Sequence, residues 1–228
     1  MKKTTHLTIF TLTLTFFSQL LIGQTMAVTA GIGSTHYIDI LKDENMRSEY
    51  TIGESYFLKV DFSNDQSKSI FSNFAFGIAK QSGDIIYSSD ALFCGMGLPS
   101  SLIFTDENVE KYTLQVISYP LIYPIVEGIR LKTGFAVNKS FHFATTSNYP
   151  PNRNNDTVIF NSQINVQTFS ADATFELQLG EHQFGNGITM IPVYNAFIGL
   201  TKEFEGGYNT HSIRQSIGLS FNWGLKKK

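Results

Sequence analysis

Six charged residues stand out because each shares a strand-like face with another. Lys59 and Asp61 lie two apart, Arg130 and Lys132 two apart, and Asp172 and Glu176 four apart. In an extended chain, residues at i, i+2 and i+4 point to one side. Three of the six are basic and three acidic, so they would be neutral in a common enclosure, as burial demands. Two kinds of chemistry follow. Either the charges pair and fill a narrow interior, or they line a constriction that selects ions or small solutes. Other candidates are weaker. His142 stands near Ser140, Thr145 and Thr146, and His36 beside Ser34 and Thr35. A histidine next to a hydroxyl is the raw material of a general base, but at a loop edge such groups are ordinarily solvated. The reading is therefore of a non-enzyme, with a lipid-modifying hydrolase or acyltransferase as the alternative. The five histidines show no metal-ligand spacing. No phosphate loop or nucleotide fingerprint occurs, and no cofactor is expected. Cys94 is the sole cysteine, so no intrachain disulfide forms.

The elements that must carry these charges read as strands. From Ile213 to Leu225 the residues Ile213, Ile217, Leu219, Phe221, Trp223 and Leu225 fall on one face, and Arg214, Ser216, Gly218, Ser220, Asn222 and Gly224 on the other. Gln215 alone breaks the apolar set. Thirteen alternating residues exceed an ordinary strand of ~5–6 and match what a tilted strand needs to cross a bilayer. The same period of two recurs in eight segments, near 28–40, 50–62, 69–80, 110–119, 127–141, 160–178, 187–201 and 212–224. Ile164 and Val166 are out of phase with Phe169 onward, which predicts a bulge near Gln167. The longest uncharged mature stretch, Tyr112 to Val126, carries Pro120 and Pro124, which argues against a helix and places a tight turn there.

Composition agrees. Charged residues are only 16% of the 228 and aromatics 14%, yet mean hydropathy is −0.04. Strands with one greasy face and one small, uncharged polar face give that average. The net charge of −2 lacks the basic face of a nucleic-acid binder. At the N-terminus, Lys2 and Lys3 precede an uncharged stretch from Leu7 to Ile22 and then small residues. That is the order of a secretory signal peptide, expected over 1–23 or as late as 27. Residues 24–228 then form one domain.

The expected fold is all-β: a transmembrane up-and-down antiparallel barrel of eight strands, exported through the periplasm to a bacterial outer membrane. Odd-numbered connections are longer than even ones, as external loops are longer than periplasmic turns. A ten-strand count follows if Ile85 to Phe93 forms strands of its own; the preferred reading makes it part of the second external loop. A soluble barrel or sandwich is the rival. Its water-facing side would consist mainly of Gly, Ala, Ser, Thr and Asn, which suits a crowded lumen better than a surface. Strands five and six are neighbours, so Arg130 and Lys132 are expected to meet Glu176 and Asp172.

The last strand, Ser216 to Trp223, also resembles the assembly signal read by barrel-insertion machinery, carried by Ser216, Gly218, Phe221 and Trp223. The tail from Gly224 to Lys228 departs from that pattern. The mature chain as a whole resembles the small outer-membrane barrels of Bacteroidetes-type bacteria, including PorT-like and "porin family" proteins. That resemblance is clearest in Leu114 to Leu121 followed by Gly128 to Phe135. It implies fold and location, and transfers no functional residues. The functional expectation is a structural or surface-interaction barrel whose lumen is plugged by paired charges. The alternatives are a narrow porin, a lipid-modifying enzyme, and, from the resemblance alone, an accessory component of a secretion machine. Expected partners are outer-membrane lipid, the insertion machinery, and an extracellular partner at loops 81–110 and 142–159.

Overall fold

The computed structural model describes residues 25–39, 47–63, 73–90, 101–147, 157–159, 166–184, 187–204 and 210–224. Residues 1–24, with the expected signal peptide, lie outside them. Eight long strands carry the structure: β1 (Thr25–Asp39), β2 (Gly53–Ser63), β3 (Asn73–Asp90), β4 (Ser101–Val126), β5 (Ile129–Ser147), β6 (Phe169–Leu179), β7 (Ile188–Gly199) and β8 (Thr210–Gly224). Each pairs antiparallel with the next, and β8 returns to β1 over the register from Thr25–Gly224 to Asp39–Thr210. The sheet is therefore a closed barrel with no open edge between first and last strands. Short strands Arg47–Tyr50, Thr157–Ile159 and His182–Phe184 attach to β3, β4 and β7. Among the described residues no helix is long and apolar enough to cross a membrane.

The stagger follows from the register. From Phe62 the partners run through Phe74, Ser118, Phe135, Ala173, Ile198 and Ile213 to His36. His36 is one position beyond the Thr35–Gly53 pair, hence opposite Ile52. One circuit thus returns to β2 ten residues from its start, at Ile52 instead of Phe62. Eight strands with that stagger tilt by about 40°, within the range of membrane barrels.

Side chains divide by parity. Outward positions on the barrel strands include Ile32, Leu58, Ile78, Leu114, Val116, Phe135, Val137, Phe175, Ile198 and Ile217, all exposed, with Phe135 at 61% and Ile217 at 65%. Inward positions hold Thr29, Lys59, Ala75, Thr113, Gln115, Asn138, Asp172, Glu176, Asn195 and Ser216, all buried. This inverts a soluble domain: the interior is polar and the exterior apolar.

Several element boundaries differ from the sequence reading. β3 and β4 run on past the expected loop limits, so 81–90 and 101–110 are strand and pair with each other. Likewise β5 reaches Ser147. The alternation does not stop at the barrel rim, and the hairpin continues as a wall beyond it. The connection between β4 and β5 is not at Pro120 and Pro124. Both prolines lie within β4, where register shifts between Ser118 and Leu121 and between Pro124 and Val126 accommodate them. The turn is Glu127-Gly128, with Gly128 at φ 80°, a left-handed conformation that glycine adopts without steric cost. The expected bulge at Gln167 is instead the edge of the sheet. β6 begins at Phe169, and Val166 leaves to bridge Phe204.

Candidate functional site in the barrel lumen

The inward side chains build up in tiers from the end that carries the Glu127-Gly128 turn. Lys59 of β2 is the centre of the lowest tier and is 1% exposed. Its ammonium donates to Asp61 Oδ1 at 2.9 Å, to the Tyr119 hydroxyl at 2.9 Å, and to Glu176. Glu176 also faces Lys132 Nζ at 3.2 Å and accepts from Gln178 Nε2 at 2.8 Å. Thr29 donates to Asp61 Oδ2 at 2.9 Å. Two cations and two anions cancel here. The Tyr119 ring lies 4.9 Å from Lys59 Nζ and 5.5 Å from Lys132 Nζ, adding cation–π attraction. Each lysine is thus compensated by charge and by hydrogen bonds, the condition under which a buried charge is tolerated.

Ala75, Ile117, Tyr119, Ala136 and Phe197 pack as a hydrophobic cluster that starts within this tier and rises to the next. Next, Arg214 of β8 pairs with Asp172, which also accepts from Asn138 Nδ2 at 2.8 Å. Gln115 Nε2 donates to Asn138 Oδ1 at 2.9 Å, and the Arg214 guanidinium sits 4.6 Å from the Phe197 ring centre. At the far end Lys111 pairs with Glu203, which also takes the Ser212 hydroxyl. Glu203 comes from the connection between β7 and β8. Burial raises its carboxyl pKa, but Lys111, Ser212 and Arg214 together outweigh burial and hold it below the usual carboxylate value. The next residue, Phe204, is buried against Tyr37, Ile85 and Val109 and closes this end as an apolar lid. The Gln167 amide donates to Glu203 O at 2.9 Å and Glu203 N to Thr210 O at 2.8 Å, fixing the lid's backbone.

Some buried polar atoms between the tiers have no hydrogen-bond partner among the described residues: Thr113 Oγ1, Thr174 Oγ1, both head atoms of Asn195, and Asp172 Oδ1. Groups of this kind mark space that suits water. At the turn end a vestibule of about 240 Å³ opens below the first tier, lined by Asp61, Arg130, Lys132, Gln178, Glu181 and Asn222 among others.

The structure brings Lys59, Asp61, Lys132 and Glu176 together and places Asp172 one tier higher. It differs from the expected pairing. Arg130 lies at the rim, half-exposed, and pairs with Glu181 at 3.0 Å, not with Glu176. Asp172 is taken by Arg214, not Lys132. The register explains both: Lys132 stands opposite Glu176 and pairs with it, Arg130 stands two residues nearer the rim opposite Gln178, and Asp172 stands opposite Ala136. Three contributors escaped sequence reading. Arg214 sat on the recognised polar face of the last strand, and Lys111 shares parity with Thr113 and Gln115, so both carried a signal. Glu203 lies in a connection with no periodicity to reveal it. Of the assembly-signal residues, Ser216 is buried in the lumen, Gly218 pairs in register with Gly31, and Phe221 and Trp223 face outward near the turn end. Among the described residues no group of His, Cys, Asp and Glu could hold a metal ion. The segment 91–100, with Cys94, Leu92, Phe93, Met96 and Leu98, lies outside the described residues.

No protein-family model matches the chain, and no curated protein matches it in sequence. Among solved structures it is similar to Neisserial surface protein A (10% identity, TM-score 0.42, covering 86% of this chain and 95% of that one). It is also similar to the outer membrane protein OprG from Pseudomonas aeruginosa (10% identity, TM-score 0.44, 89% and 97%). A third is the translocator domain of the autotransporter NalP from Neisseria meningitidis (11% identity, TM-score 0.29, 96% and 97%). The eight-stranded barrel described above stands on its own strand pairings.

Proposed function

We propose that the chain is an integral outer-membrane barrel with a structural or surface-interaction role, its lumen closed by paired charges. The observation that carries this reading is the outer wall. Once the stagger is included, Glu54, Lys80 and Lys139 come out at one level on β2, β3 and β5, facing outward. Between that level and the turn end, outward positions hold no charged residue in the eight strands. With about 3.3 Å per residue and a tilt near 40°, the uncharged band is about 25 Å tall, the height of the apolar belt of a membrane barrel. Phe62, Phe74, Phe76, Phe221 and Trp223 crowd its lower margin, and Tyr56, Tyr112 and Phe169 its upper one, where aromatic girdles belong. An exposed apolar surface of this extent is not sustainable in water.

The lumen supports closure. Three neutral ion-pair tiers, an apolar cluster between the lower two and the Phe204 lid leave no continuous wide path, as expected of an eight-stranded interior just wide enough for side chains. Planar-bilayer recording of the refolded chain tests this. A folded but silent barrel is the expected result. Discrete conductance steps would replace closure with a narrow porin. The double change Lys59→Ser with Glu176→Ser should keep the lower tier neutral while removing its bulk. Lys132 then keeps Asp61 as the nearest remaining acid of the tier.

A further inference from the structure

The outward wall carries a depression at the β1–β8 seam. It holds about 710 Å³ and is lined chiefly by Ile32, Tyr56, Leu179, Pro192, Tyr194 and Ile217, around the backbones of Gly31 and Gly218. It lies over the seam between β1 and β8, where Gly31 and Gly218 are paired in register. Both glycines share the inward parity of Thr29 and Ser216, so the space left by their missing side chains is on the lumen side, beneath the groove floor. Neither glycine can be filled in: a Cβ at Gly31 would lie 2.2 Å from the Phe57 ring, and one at Gly218 2.2 Å from Ala30 O. The lining residues spread over about 18 Å of height, most of the about 25 Å apolar band.

The upper end of the depression is polar. Ser34 of β1 lies between Glu54 and Gln215 in the register. Its hydroxyl is 3.1 Å from His36 Nε2. Tyr194 donates to Gln215 Oε1 at 3.0 Å, and Tyr56, which lines the groove, donates to Glu54 Oε2 at 2.8 Å. Lys80 has Glu110 at 3.0 Å, whereas the exposed carboxylate of Glu54 has no cation in ion-pair range among the described residues. An acid without a cationic partner among the described residues, at the head of an apolar groove, is complementary to an amine-headed lipid.

We infer that this seam is a binding site for a single phospholipid with a cationic amine headgroup. One acyl chain lies in the Gly31–Gly218 groove and the amine meets Glu54. The inference rests on the membrane reading above. Its test uses the full mature chain inserted into vesicles of phosphatidylethanolamine and phosphatidylglycerol at 3:1, extracted into mild detergent and weighed by native mass spectrometry. The wild type should keep one phosphatidylethanolamine. Ala30→Phe, which fills the groove from its exposed rim, should lose it, and Ala173→Phe, outward on β6 and away from the groove, should retain it. Glu54→Gln should abolish the preference for the amine lipid over phosphatidylglycerol. A wild type that inserts but carries no lipid, or an Ala30→Phe chain that keeps it, overturns the site. Equal retention of both lipids by the wild type overturns the amine assignment. Failure to insert at all, read by protease accessibility of the vesicles, overturns the membrane reading itself.

Discussion

The two ends of the lumen are built by different means. At the turn end Lys59, Asp61, Lys132 and Glu176 all stand on barrel strands, so this cluster cannot separate unless the wall does. At the other end Lys111 stands on the wall, but Glu203 and Phe204 stand on a connection that returns across the mouth. The first cluster belongs to the fold, and the second is attached to it. Charges held by strands therefore report on global stability, and charges held by connections on local opening.

That contrast breaks most readily at Glu176. Glu176→Gln leaves Lys59 with Asp61 alone and Lys132 without its partner, at a cost of about 3–5 kcal/mol. Denaturant unfolding followed by Trp223 fluorescence should show a large fall in midpoint. An unchanged midpoint would mean that the lower tier is not part of the cooperative core. Phe204→Ala should behave differently. It removes about 3 kcal/mol of lid packing, seen as roughly hundredfold faster amide exchange at Gln167 and Glu203, with the global midpoint nearly unmoved. If the midpoint falls as far as in Glu176→Gln, the two ends are one unit.

Glu203→Gln sharpens the same point at about 1–3 kcal/mol. The carboxyl is held below its usual value of 4.5, so its contribution is fully present above about pH 4.5 and is lost as pH falls through the lowered value. The wild-type lid should loosen only in acid, and in Glu203→Gln that pH dependence should vanish. Least of all, Lys80→Gln on the outer wall should leave unfolding unchanged, because its pair with Glu110 is open to solvent.

Much of the fold was legible because the alternation of Ile213 to Trp223 or Phe169 to Leu179 states both faces of a strand at once. The boundaries were less so. Pro120 and Pro124 read as a turn because proline removes a ladder donor, yet bulges hold both within β4. The lumen residues could be chosen by parity, but their partners could not. Pairing depends on the register between neighbouring strands, which neither strand states alone. Thus Lys132 meets Glu176 opposite it, whereas Arg130 stands opposite Gln178, nearer the rim, and pairs with Glu181. The lid was invisible because Glu203 and Phe204 obey no period.

The Gly31–Gly218 pairing has a consequence for how the molecule is made. It joins the first strand to the last, so nearly the whole chain must exist before either has its second neighbour. In hydrocarbon each unsatisfied backbone group costs several kcal/mol, and a seven-stranded arc would expose a full row on each side. On the proposed membrane reading, a nascent chain therefore has no stable partial insertion: the arc has to be held away from lipid, or its two edges shielded, until β8 arrives, and a chain truncated before Thr210 should be a substrate for degradation instead of a smaller barrel.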